Sequence, residues 1–296
     1  MPSTGSSTAS AIHVADNDFV YISGSENINN TPRAVYWKNG EKQMLEVQVN
    51  TETYAWGIAV SNNGDVYVIG SEKENMSNQL NAVYWKNGIK VGLHSNNIES
   101  SLTHTIQITA NDDVYISGSE IDVGSFGSRA VYWKNDVKTV LPDNSFNVNS
   151  QSIYVTDFDD VYVSGMENSK AVYWKNGAKT VLSGAQNVSW TSIYAANSKV
   201  YVAATERALD ATDNEINKAI YWEDGQKIDL SANDLSSSIS QIIVVGDDVY
   251  GAGGLRQTPQ LFSFDACYWK NGAKTVLTDG SGIARALGIA VVTTSD

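Results

Sequence analysis

The residues best suited to chemistry in this 296-residue chain are few: three histidines, one cysteine and eight tryptophans, set among 33 acidic side chains. His13, His94 and His104 are too far apart in the sequence to show metal-ligand spacing. Cys267 is the single cysteine, so no internal disulfide can form, and it stands where equivalent segments carry valine or isoleucine. That context predicts a buried thiol rather than a nucleophile. No nucleophile elbow, HExxH, P-loop or zinc-cysteine pattern is present. No catalytic residue, resident cofactor or metal is assigned on this basis. Asp157, Asp159 and Asp160 offer a weak structural calcium site without the EF-hand loop pattern. Carboxylate pairs for glycoside hydrolysis stay open, because 33 acids supply many candidates and no geometry.

The tryptophans carry more information. Six of the eight lie in one recurring segment: AVYWKNG at 34–40, 82–88 and 171–177, AVYWKND at 130–136, AIYWEDG at 219–225 and ACYWKNG at 266–272. The Trp-to-Trp steps are 48, 48, 41, 48 and 47 residues. Upstream of each lies a second segment: FVYISG from Phe19, DVYVIG from Asp65, DVYISG from Asp113, DVYVSG from Asp160, KVYVAA from Lys199 and DVYGAG from Asp248. With a short apolar run before and another after, each unit reads as four β-strands, A to D. Asn-Gly or Asp-Gly between strands C and D predicts type I′ hairpins.

Strand C is apolar on both faces, with Val35 and Trp37 on one and Ala34 and Tyr36 on the other. Sheets that need cover on both faces stack radially, and a period of 40–50 residues per four-stranded unit is that of a propeller. The expected fold is an all-β, six-bladed β-propeller forming a single domain over 1–296. Its units run approximately 11–50, 51–98, 99–146, 147–187, 188–235 and 236–281. A closing strand is expected at 287–292, because LGIAVV there repeats the WGIAV of Trp56–Val60. Ala11–Ala15 competes for the same innermost place in blade one.

Formal net charge is −13, which disfavours phosphate backbones and anionic surfaces. The repeat also absorbs most of the 20 cations. Lys42, Lys90, Lys138, Lys179, Lys227 and Lys274 recur in strand D and read as edge protection. Lys38, Lys86, Lys134, Lys175 and Lys270 end strand C. Arg33, Arg129, Lys170 and Lys218 face Glu26, Glu120, Glu167 and Glu206 across the B–C hairpin. Lys73, Lys199, Arg207, Arg256 and Arg285 are left over, too scattered for a nucleic-acid patch. No apolar run is long enough for a membrane span, and Met1–Ser10 has no signal-peptide character.

Variation is confined to the B–C loops, from a three-residue to a twelve-residue step, so binding is expected on the face bearing those loops and the D–A linkers. Candidate ligand-binding residues there are Trp56 and Trp190, whose indoles suit a sugar ring, with His104, Arg256 and Phe262. VYxxG followed by AVYWKNG resembles the uncharacterised bacterial six-bladed propeller repeat proteins. That resemblance covers nearly the whole chain and implies an extracytoplasmic setting, with no activity to carry over. Kelch, WD40 and sialidase Asp-box signatures are absent. The expectation is a monomeric, non-catalytic propeller recognising carbohydrate or protein; the alternative is a carbohydrate-active hydrolase or lyase with carboxylates at the channel mouth.

Overall fold

The computed structural model describes residues 6–15, 19–74, 77–95, 97–143, 145, 147–231, 234–256, 264–279 and 281–291. Among the described residues it contains 24 strands and no helix that could cross a membrane. The first sheet is β1 (Ser7–Val14), β2 (Val20–Ile28), β3 (Thr31–Lys38) and β4 (Glu41–Met44). The second is β5 (Thr51–Val60), β6 (Val66–Glu74), β7 (Asn81–Lys86) and β8 (Ile89–Gly92). The third is β9 (Ile98–Ile108), β10 (Val114–Asp122), β11 (Ser128–Lys134) and β12 (Val137–Val140). The fourth is β13 (Val148–Val155), β14 (Val161–Glu167), β15 (Lys170–Lys175) and β16 (Ala178–Val181). The fifth is β17 (Val188–Ala196), β18 (Lys199–Leu209), β19 (Glu215–Glu223) and β20 (Gln226–Asp229). The sixth is β21 (Ser236–Val245), β22 (Asp248–Arg256), β23 (Asp265–Lys270) and β24 (Ala273–Val276).

Every sheet keeps chain order, so each repeat unit is one meander of the expected A–B–C–D form. Contacts group the chain into two compact units, 1–153 and 154–296. Within the first, strands β1, β5 and β9 of successive blades pack on one another; within the second, β17 and β21 do so.

The repeat segment explains the packing. Trp85 enters a core with Tyr21, Ala34 and Leu45 of the preceding blade, and Trp133 does the same with Tyr67, Ala82 and Leu93. In the second unit Trp222 packs with Tyr162, Ala171 and Leu182, and Trp269 with Tyr201, Ala219 and Leu230. Each such burial contributes on the order of 4 kcal/mol of transfer free energy. The Trp85 and Trp222 indole N–H groups donate to the carbonyls of Glu46 (2.7 Å) and Ser183 (2.8 Å), tying each blade to the one before.

The C–D turns are of the expected type, with φ of 51° at Asn87 and 86° at Gly88. Asn87 also accepts from the Val66 N–H at 2.9 Å and donates to Asp65 at 2.7 Å, so the turn residue fixes the start of strand B. At Asn135-Asp136, φ values of 46° and 68° keep the same turn without glycine.

The lysines do more than guard edges. Those of strand D reach across strand C to the glutamate at or near the end of strand B: Lys42–Glu26, Lys90–Glu72, Lys138–Glu120, Lys179–Glu167 and Lys227–Glu206, at 2.6–2.9 Å. In blade six Leu255 takes the glutamate's place and Lys274 pairs with Asp234 instead. Across the B–C hairpin the expected residues do face one another, as Glu26 faces Arg33. Arg129 adds an ion pair to Glu120 at 3.1 Å, whereas Arg33 donates to the Thr51 carbonyl at 2.9 Å.

In blade one the inner strand is the N-terminal β1, paired with β2. Residues 284–291 form no strand. There Leu287 is exposed, Ala286 N–H donates to the Gly253 carbonyl at 2.9 Å, and Ile289 N–H to the Gln241 side chain at 2.8 Å. Val292, the end of the expected closing strand, lies outside the described residues.

Candidate functional site

Trp56 and Trp190 lie inside strand A rather than on a linker, because β5 and β17 begin earlier than the short apolar runs suggested. Register slips interrupt the A–B pairing at Ala9/Ala11, Ala55/Gly57, Ser189/Thr191 and Ile239/Gln241, and opposite Ser117 in blade three. A bulge leaves a residue outside the ladder and re-aims its side chain. The residues so released are Ser10, Trp56, His104 with Thr105, Trp190 and Ser240, and a second slip in blade three releases Glu99. Three of the candidate residues therefore occupy one kind of position in three blades.

Each has a different environment. Trp190 has a φ of 58°, and its indole N–H donates to the Ser240 carbonyl, at the bulge of the next blade, at 3.0 Å. His104 Nε2 lies 2.9 Å from Ser119 Oγ, and burial pushes its pKa down to about 4, so the ring is neutral at pH 7. Arg256 ends β22 opposite Ser236, with its Nε buried and unpartnered among the described residues. Phe262 lies outside the described residues.

Trp56 is the residue around which a site assembles. It is 39% exposed, against at most 2% for Trp85, Trp133, Trp174, Trp222 and Trp269. Its ring is parallel to that of Tyr54 within 1°, with centroids 5.6 Å apart. Both border a cleft of about 250 Å³ completed by Lys73 from strand B and by Asn78 and Leu80 from the B–C loop. Tyr54 donates to Glu52 Oε2 at 2.8 Å and Lys73 pairs with the same oxygen at 3.0 Å. The tyrosine hydrogen bond first, and then Lys73, hold the Glu52 carboxyl below its ordinary range. Burial first, and then Glu52, push the Tyr54 phenol up to about 12. The result is an aromatic platform beside one ionised carboxylate, one ammonium and one amide.

Tyr54, Glu52 and Lys73 had no place among the sequence candidates. Only Lys73 carried a signal, as a cation the repeat did not absorb.

The other chemistry-bearing residues are engaged elsewhere. Burial pushes the Cys267 thiol up to about 12, which leaves it un-ionised. Asp160, one of the three calcium candidates, is taken by Lys175 at 3.0 Å and by the Asn176 amide at 2.6 Å. Among the described residues no group of three or more histidine, cysteine or acidic side chains is placed to hold a metal ion.

No protein-family model and no curated protein matches the chain. Solved structures do resemble it. A protein of unknown function from Dyadobacter fermentans superposes with a TM-score of 0.51 at 8% identity, over 84% of this chain and 91% of that one. Trypanosoma rangeli sialidase gives 0.51 at 11% identity over 92% of this chain, which spans about half (53%) of the sialidase. The polysaccharide lyase Uly1 gives 0.47 at 10% identity, over 93% and 81%. At these identities the likeness concerns architecture, and with the six four-stranded meanders it makes the chain a six-bladed β-propeller.

Proposed function

We propose that the protein is a carbohydrate-directed propeller that holds a glycan on the Tyr54–Trp56 platform of blade two. The observation that carries this reading is the exposed Trp56 indole, released from the ladder by its bulge and bordering a cleft with Lys73 and Asn78. A flat apolar ring flanked by hydrogen-bonding groups suits the mixed faces of a pyranose. Lys73, its charge matched by Glu52, keeps N–H donors for sugar hydroxyls. The expected monomeric state and the extracytoplasmic setting that the resemblance implies belong to the same reading.

A polysaccharide array probed with the wild type, Trp56→Ala and Trp190→Ala tests it. Trp56→Ala is expected to weaken binding at least ~10-fold, or about 1.4 kcal/mol. Trp190→Ala is expected to bind as wild type, because that indole is committed to Ser240. Undiminished binding by Trp56→Ala would sink the proposal.

The second reading, a hydrolase or lyase, is favoured by the convergence of Glu52, Tyr54 and Lys73 on one point beside the platform. Three titratable groups there could move a proton as well as fix a ligand. Release of new chain ends from a bound polysaccharide, lost in Glu52→Gln while binding persists, would make the site catalytic. Unchanged chain length would leave it a binding site.

A further inference from the structure

Blade five reverses the charge order of its neighbours. In blades two, three, four and six an aspartate opens strand B and a lysine ends strand C. The pairs are Asp65–Lys86, Asp113–Lys134, Asp160–Lys175 and Asp248–Lys270, at 2.7–3.0 Å. Each of these ammonium groups also lies 5.0–5.3 Å from a ring centroid, of Tyr67, Tyr115, Tyr162 or Tyr250. The repeat thus has its own way of holding an alkylammonium, between a carboxylate and a tyrosine.

In blade five Lys199 opens strand B and Glu223 ends strand C, and these two pair with each other. Beside them, at the turns of blades five and six, is a cleft of about 450 Å³. Tyr201, Tyr221 and Val249 line it together with Lys199, Glu223 and Asp247. Among the two tyrosines and two carboxylates here there is one ammonium, and Glu223 takes it. Asp247 has no ion pair among the described residues, and the Asn197 amide reaches it only at 3.4 Å.

We infer that this cleft binds an alkylammonium group, its charge against Asp247 and Glu223 and its chain against Tyr201 and Val249. The group is that of a free diamine or of a lysine side chain. The site lies at the turns of blades five and six and stands independently of the glycan reading.

Titration calorimetry at low ionic strength, where a weak charge pair is least screened, is the test. Three probes suffice: pentane-1,5-diamine, Nα-acetyl-lysine methylamide and the uncharged pentane-1,5-diol. Saturable one-to-one binding of either amine, with none for the diol, is expected. The tighter of the two amines tells a free amine from a polypeptide lysine. Asp247→Asn should bind at least ~10-fold more weakly. The double variant Lys199→Asp/Glu223→Lys gives blade five the common charge order, so its own lysine should displace the ligand while the unfolding midpoint stays near wild type. Trp56→Ala should bind the amine normally, which separates failure here from failure of the glycan site. No saturable amine binding, equal binding of the diol, or wild-type affinity in both Asp247→Asn and the double variant would overturn the inference.

Discussion

Trp190 and His104 show what the bulge position does to a single side chain. A φ of 58° is rare for a bulky residue and costs on the order of 1–3 kcal/mol. The bond to Ser240 offsets part of that cost by satisfying a carbonyl at the next bulge, a role as a brace. His104 is turned inward and kept neutral instead. Its folded pKa of about 4 lies below its ordinary 6.5, so on acidification the unfolded chain takes up the proton first. Stability is therefore intact above about pH 6.5, declines as pH falls toward 4, and levels off below. The loss amounts to about 3 kcal/mol at most. His104→Gln keeps a polar partner for Ser119 and cannot titrate. Urea unfolding at pH 7.5 and 4.5 should show the smaller acid loss in His104→Gln; equal losses would mean the histidine is not held neutral.

The strand-B motif VYxxG is explained by the same bulges at the scale of the element. A Cβ at Gly70 would run into the Tyr54 carbonyl and come within 2.9 Å of the Trp85 ring. The glycine is therefore required where the inner strand buckles toward strand B. Blade five has Ala204 at this place, and its slip comes one residue earlier, with Ala204 facing Thr191 and Trp190 pushed into the left-handed region. Gly70→Ala is expected to cost about 3 kcal/mol in denaturant unfolding, whereas Ala204→Gly should cost under about 1 kcal/mol. Similar costs would mean that the bulge is not what the glycine serves. The ion pairs scale with burial in the same way. Glu120 is fully buried and accepts from both Lys138 and Arg129, while Lys42 of the Glu26 pair is 39% exposed. Glu120→Gln should lose about 3 kcal/mol and Lys42→Ala under about 1 kcal/mol, read from urea midpoints.

Over the whole molecule, the architecture was legible because one heptapeptide recurs six times with a turn of two positive φ values, and in five of the six its tryptophan is buried in the core, Trp37 being half-buried. What the repeat could not absorb pointed to the rest: Trp56 and Lys73 meet at one cleft, and Lys199 lines the other. Tyr54 and Glu52 stayed hidden, because a bulge depends on how strand A meets strand B and leaves no composition of its own. The strand-D lysines were read only as edge protection because their reach to strand B, an added role, spans three strands in register. That register also makes acid stability a property of the whole chain. Asp65, Asp113, Asp160 and Asp248 all have carboxyl groups held below the ordinary value of 3.8, chiefly by hydrogen bonds from the strand-C lysine and the turn asparagine. Folded values below unfolded ones mean that this stabilisation is complete above about pH 4 and disappears as pH falls through the folded values. Together with His104, the urea midpoint should fall in two stages, one between about pH 6.5 and 4 from the buried histidine and a smaller one below it from the four exposed pairs. Asp65→Asn, Asp113→Asn, Asp160→Asn and Asp248→Asn combined should flatten the lower stage and leave the upper intact, while His104→Gln does the reverse. A single stage that responds to neither set would show that the repeated Lys–Asp–Asn links contribute nothing to acid resistance.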